Sequence, residues 1–112
     1  MQLLVHVLNQ TEKLEELLNK MVERGMGGAT VLDSRGMAQI LCDENTPMFG
    51  MMRSILTQNR SENKTIFTVL NDDQVEPMKA LIREVTGGLE KPGTGVMFTV
   101  PVNFCEGMAK QQ

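Results

Sequence analysis

Apolar positions along the chain change period several times, and each change predicts an element. Leu3 to Leu8 is a nearly continuous apolar run broken only by His6, which predicts a buried strand. Asn9 follows, with Glu12 three residues on, a pattern that predicts a helix cap with its reciprocal acid. Leu14, Leu17, Leu18, Met21 and Val22 then share one helical face, and Gly25, Gly27 and Gly28 end the helix. Ala29 to Leu41 predicts a second strand region, with Val31 and Leu32 at its start and Ile40 and Leu41 at its end. Gly36 interrupts it, as a bulge or a close backbone approach would.

The segment 42–63 is polar at both ends and Met-rich in its centre. Thr46-Pro47 suits a helix start, and Met48, Met51, Met52, Ile55 and Leu56 suit one face of a short helix, with mobile loop around it. Thr65 to Leu70 predicts a third strand. Asn71 and Asp72 cap a second amphipathic helix carrying Val75, Met78, Leu81, Ile82 and Val85. Pro77 lacks an N–H, so that helix is expected to begin no earlier than about Gln74. Gly87 and Gly88 end it. Val96 to Val102 predicts a fourth strand, with Pro101 marking an edge or a bend, and the tail after Asn103 is expected to fray.

The two halves echo each other, Val7-Leu8-Asn9 before one helix and Val69-Leu70-Asn71 before the other. The element order predicts one α+β domain over residues 1–112 of the ferredoxin-like βαββαβ type: a four-stranded antiparallel sheet with two helices on one face.

Composition narrows this picture. The 112 residues fit a single domain, and with no Trp, no Tyr, 4 Phe and 10 Met the core is aliphatic and methionine-built. So small and aromatic-poor a domain gains from oligomerisation. The net charge of -3 and the lack of a basic run argue against a nucleic-acid partner. Met1–Leu8 is too short for a signal peptide, and no apolar run approaches the ~20 residues of a membrane span. A cytoplasmic protein without direct membrane insertion is therefore expected, with Cys42 and Cys105 as reduced thiols.

Candidate chemistry is sparse. No Ser-His-Asp, Cys-His or paired-carboxylate constellation fixes a reaction, so a protein that is not an enzyme is expected. His6 is lone on an apolar strand and reads as a satisfied or edge histidine rather than a metal ligand. Asp72 and Asp73 read as helix-capping residues, and Glu12, Glu15 and Glu16 as a solvated face. The loop Gly87 to Gly95, GGLEKPGTG, holds four glycines, Lys91 and Thr94. Such a loop brings backbone N–H groups close to an anion, with Lys91 adding charge, but it equally suits a plain helix-to-strand connection. Spacing alone favours the plain connection. Met48 to Leu56 reads as a cover for the protein's own sheet, a subunit interface or an adaptable docking surface.

Three segments resemble the PII nitrogen-regulatory signal-transduction family, and the likeness in element order covers nearly the whole chain. Thr30-Val31-Leu32-Asp33-Ser34-Arg35-Gly36-Met37 is similar to the second strand leading into that family's T-loop. Val69-Leu70-Asn71-Asp72-Asp73 is similar to its third strand and turn. Thr86-Gly87 through Pro92-Gly93-Thr94-Gly95, continuing as Val96-Met97-Phe98-Thr99-Val100, is similar to its B-loop and fourth strand.

The resemblance implies a cytoplasmic homotrimer that binds an adenine nucleotide in clefts between subunits and regulates a transporter or enzyme through a T-loop, here about 42–63. It places Thr30 near the adenine and Gly36 and Met37 at the T-loop base. Gly87, Gly88, Lys91, Gly93, Thr94 and Gly95 would hold phosphate, and Met48, Phe49, Met51, Met52 and Arg53 would form the partner-binding loop. The chain departs from the family in a longer B-loop and in Val96, where a phosphate-binding Lys is usual. Ala38 replaces a glycine, and Ile40 replaces a glutamine that helps hold magnesium and 2-oxoglutarate. No tyrosine exists for uridylylation, and the tail lacks arginines. The resemblance with these departures implies AMP or ADP as effector in preference to magnesium-ATP, with no required cofactor. A binding trimer of the same fold without nucleotide, in a metal or structural role, is the alternative, and a small ferredoxin-like enzyme is the third reading.

Overall fold

The computed structural model describes residues 1–43 and 62–108. The expected helix around Met48–Leu56 and the partner-binding residues Met48, Phe49, Met51, Met52 and Arg53 lie outside the described residues, as does the side chain of Cys42.

Four strands, β1 (Gln2–Leu8), β2 (Thr30–Ser34), β3 (Asn63–Leu70) and β4 (Gly95–Pro101), form one antiparallel sheet in the order β2-β3-β1-β4. β1 pairs with β3 from Gln2↔Leu70 to Leu8↔Lys64, and with β4 from Gln2↔Pro101 to Leu8↔Gly95. β2 pairs with β3 from Thr30↔Phe67 to Ser34↔Asn63. β4 is an edge strand, the position that Pro101 indicates, since proline cannot donate into a ladder on both sides.

Two long helices, α1 (Leu14–Glu23) and α3 (Asp72–Thr86), pack on the face that carries Leu4, Leu8, Ile66 and Leu70. Leu17 and Met21 of α1 and Val75, Met78, Leu81, Ile82 and Val85 of α3 complete that core. The α1 end is a Schellman turn. Gly25 takes φ 77°, its N–H donates to the Val22 carbonyl, and the Met26 N–H reaches back to the Met21 carbonyl at 2.8 Å. Both methionines are buried, as the hydrophobic contact of that motif requires. Glu12, Glu15 and Glu16 are exposed as expected.

Five expectations change. The second strand stops at Ser34, and Met37–Asp43 forms a helix, α2, instead of continuing the strand to Leu41. Met37, Ile40 and Leu41 have i, i+3, i+4 spacing, and the Ile40 N–H donates to the Gly36 carbonyl at 3.1 Å. Gly36 is thus the turn into α2 rather than a bulge, with no close approach at its Cβ position.

Asn9 does not cap α1. A 3-10 turn at Thr11–Lys13 precedes it, closed by the Thr11 N–H on Asn9 and the Lys13 N–H on Gln10. Lys13 Nζ donates to the Val85 carbonyl at 3.0 Å, which anchors this turn against the end of α3 and satisfies a terminal carbonyl.

α3 begins at Asp72, two residues before the limit set by Pro77. Asn71 and Gln74 form a capping box, with the Asn71 N–H on Gln74 Oε1 at 3.0 Å. This box holds the first turn, so the helix absorbs the one donor that Pro77 lacks. Beyond β4 the chain to Met108 forms no helix or strand. Met108 lines one cavity with Phe67 and Val69. His6 is neither satisfied nor at an edge: it is fully buried on the central strand.

Candidate functional site

The loop between α3 and β4 is shaped by its glycines, and the backbone explains each of them. Gly87 ends α3 in the left-handed region at φ 81° and donates to the Arg83 carbonyl at 2.9 Å. Gly88 (φ 104°) donates to Thr86 Oγ1, which itself donates to the Ile82 carbonyl. Gly93 has φ 81° and Gly95 φ 117°. A Cβ on Gly95 would collide with the carbonyl oxygen of Val7 on the neighbouring strand. Thr94 is buried and donates to the Lys91 carbonyl at 2.7 Å, closing the turn from inside. Thr94 Oγ1 is therefore already engaged as a donor. Lys91 is exposed and has no ion-pair partner among the described residues.

A recess of about 350 Å³ adjoins this loop, walled by Gly88, Leu89, Glu90, Gly95 and Met97, and its cation is Arg83. Sequence reasoning missed Arg83. The signal was available: a residue four before a helix-ending glycine lies one turn back on the same side as the loop.

Thr30 lies elsewhere. It opens β2 opposite Phe67 and, with Gly27, Gly28, Ala29, Val69 and Met108, lines a mostly apolar cavity of about 500 Å³. Gly36 and Met37 follow the far end of β2, and Met37 is exposed. From Thr30 to Ser34 the strand rises roughly 13 Å, and β2 and β4 are separated by three inter-strand spacings, roughly 14 Å. A single chain therefore brings Gly36, Met37 and the loop Gly87–Gly95 to one end of the sheet but on opposite edges, with Thr30 further away. The predicted residues do not converge within one subunit.

The β2 end is pinned by polar contacts. Ser34 Oγ bonds to Asn63 and, at 2.7 Å, to Thr65 Oγ1. Lys64 pairs with Asp33, and this hydrogen bond raises the Lys64 pKa. Between the helices, Lys20 and Arg24 both hydrogen-bond to Glu84, whose carboxyl is held below its ordinary range by them. His6 differs from all of these: burial pushes its pKa down to about 4.

Among the described residues no cluster of three or more His, Cys, Asp or Glu is placed to hold a metal ion. Among them no helix is long and apolar enough to cross a membrane. Cys105 is a free, half-buried thiol. No protein-family model matches the chain, and no curated protein matches it.

Proposed function

We propose that this chain is a ferredoxin-like, PII-like regulatory protein that acts as a cyclic homotrimer, binds an adenine nucleotide between copies and signals to a transporter or enzyme, without catalysis of its own. The observation that carries the reading is the sheet face turned away from the helices. Val5 pairs in register with Phe67 and Phe98, Leu3 with Val69 and Val100, and Val7 with Val96, so all eight side chains share that face. Phe98 and Val96 are each 50% exposed in the single chain. An apolar face of this extent favours burial against copies of itself.

Ring closure also answers the separation of the candidate residues. In a head-to-tail ring, opposite edges of the subunit meet at every interface. The β2 edge with Thr30, Gly36 and Met37 then meets the β4 edge with Gly87–Gly95 and Arg83. The count of three comes from the PII resemblance. The lone Lys91 and Arg83, with no basic group at Val96, favour AMP or ADP over a triphosphate.

A second reading, a binding trimer without nucleotide, is favoured by one specific observation: every glycine of the loop has a backbone reason that needs no ligand. Light scattering and calorimetry separate the readings. The expected outcome is a threefold multiple of the 12.5 kDa chain that releases heat with AMP or ADP. Arg83→Gln and Lys91→Ala should each weaken binding about tenfold or more, as the loss of a charge-assisted hydrogen bond does. A trimer silent toward AMP, ADP, ATP and a cyclic adenine dinucleotide leaves the second reading. A monomer overturns both.

A further inference from the structure

We propose that His6 is an acid-sensitive latch, holding α3 on the sheet only while its imidazole is neutral. His6 has no solvent exposure and lies on the central strand, in register with Ile66 on one side and Met97 on the other. It shares the helix-covered face with Leu4 and Leu8. Neither Nδ1 nor Nε2 has a hydrogen-bond partner. Two polar residues lie diagonally across β3 on the same face: Lys64, and Thr68, which is also fully buried and whose hydroxyl is likewise unpartnered.

A protonated imidazole carries two N–H donors and a full charge, and this site has nothing to balance it. β1 has no other titratable group, and β4 has none. β3 contributes Lys64, already paired with Asp33. α3 carries Asp72, Asp73, Glu76, Lys79, Arg83 and Glu84, of which Lys79 pairs with Glu76 and Glu84 with Lys20 and Arg24. α1 adds Glu15, Glu16, Lys20 and Glu23. Every carboxylate on α1, α3 and β2 is exposed. The proton therefore enters only when the ring reaches water, and α3 is part of the layer that covers it. The latch is independent of the nucleotide reading, because it lies on the opposite face of the sheet from the proposed subunit contact.

The direction follows from linkage. Burial lowers the folded-state pKa from 6.5 to about 4. The unfolded chain thus binds the proton more readily, and stability present at neutral pH is lost as pH falls below 6.5. Between pH 7 and pH 5 this raises the unfolding constant about 20-fold. Glu76 and Glu84, held low by partners, lose most of their share as pH falls through their ordinary value of 4.5, so a window ending at pH 5 is dominated by the histidine.

The chain has one histidine, so its ring proton resonance is assigned without ambiguity. In the wild-type protein that resonance is expected to stay unmoved from pH 7.5 to about 5, while amide exchange in α3, corrected for intrinsic rates, speeds up. A ring that titrates near 6.5 with α3 protection unchanged overturns the proposal. Urea unfolding at pH 7 and pH 5, at one protein concentration, is the second arm. His6→Leu is expected to remove the ~20-fold change, and an unchanged pH dependence in that variant overturns the latch. Should His6→Leu not fold, the wild-type titration decides.

Discussion

The two faces of this sheet are built from similar residues and meet different fates. On one face, Leu4, Leu8, Ile66 and Leu70 are sealed under α1 and α3. On the other lie Leu3, Val5, Val7, Phe67, Val69, Val96, Phe98 and Val100, none of which belongs to the core under α1 and α3. An antiparallel sheet with one wet face shows alternation of apolar and polar residues, whereas a sheet covered on both faces reads as continuous apolar runs. β1, with the sequence QLLVHVL, is the second kind. Its only polar interior position, His6, points to the covered face. The strand sequence is thus that of a doubly covered sheet, while among the described residues the two long helices cover one side.

The strongest way to break this comparison is to put a carboxylate on each face. Leu4→Asp buries an unpaired charge under the helices. That costs about 3–5 kcal/mol, a large part of the roughly 5–15 kcal/mol by which a domain is stable, so the variant is expected to be unfolded by circular dichroism at neutral pH. Phe98→Asp places its charge at a half-exposed site and should leave the fold intact. Its effect is expected in assembly: light scattering should fall from the proposed threefold mass to that of the single chain. Equal masses for wild type and Phe98→Asp would mean that assembly does not depend on the open face.

A smaller effect tests the seam that both faces share. Gly95 sits where β4 meets β1, at φ 117°, with the Val7 carbonyl where a Cβ would go. Gly95→Ala is expected to destabilise the fold by about 1–3 kcal/mol, through backbone strain and displacement of β4. A thermal-melt series with and without AMP checks this. A variant as stable as wild type, with weaker nucleotide binding, would move Gly95 from a backbone role to a ligand role.

Much of this was legible in the chain. Periodicity located β1, β3 and β4 and both long helices to within a few residues, because each carries enough apolar positions to settle the period. α2 was misread because Met37, Ile40 and Leu41 are too few to separate a short helix from the end of a strand. The echo of Leu8-Asn9 and Leu70-Asn71 held in letters only: Asn71 and Gln74 close a capping box, while Asn9 leads into a 3-10 turn tied to α3 by Lys13. The candidate site was legible least. Glycine composition marked the Gly87–Gly95 loop, but backbone geometry accounts for those glycines. The cation that reaches the recess, Arg83, is on the helix rather than in the loop. Nor does sequence alone tell which residues stand at opposite edges of a sheet, so the separation of Thr30 from the loop within one chain was not legible.

The smallest expected effect belongs to the start of α3 and separates covering a face from associating through one. Asn71 supplies the capping box before Asp72, Asp73 and Gln74. Asn71→Ala removes the side-chain acceptor and leaves a first-turn N–H without its partner. A lost cap costs about 1 kcal/mol, which for a domain of this size lowers the melting temperature by roughly 4–6 °C. Asn71 is exposed and lies beyond the strand, so no side chain of the open face moves with it. The melting temperature should therefore drop while the mass by light scattering stays that of wild type. If the mass falls together with the melting temperature, α3 and the open face are coupled through the sheet, and the two faces would be one cooperative unit instead of separable surfaces.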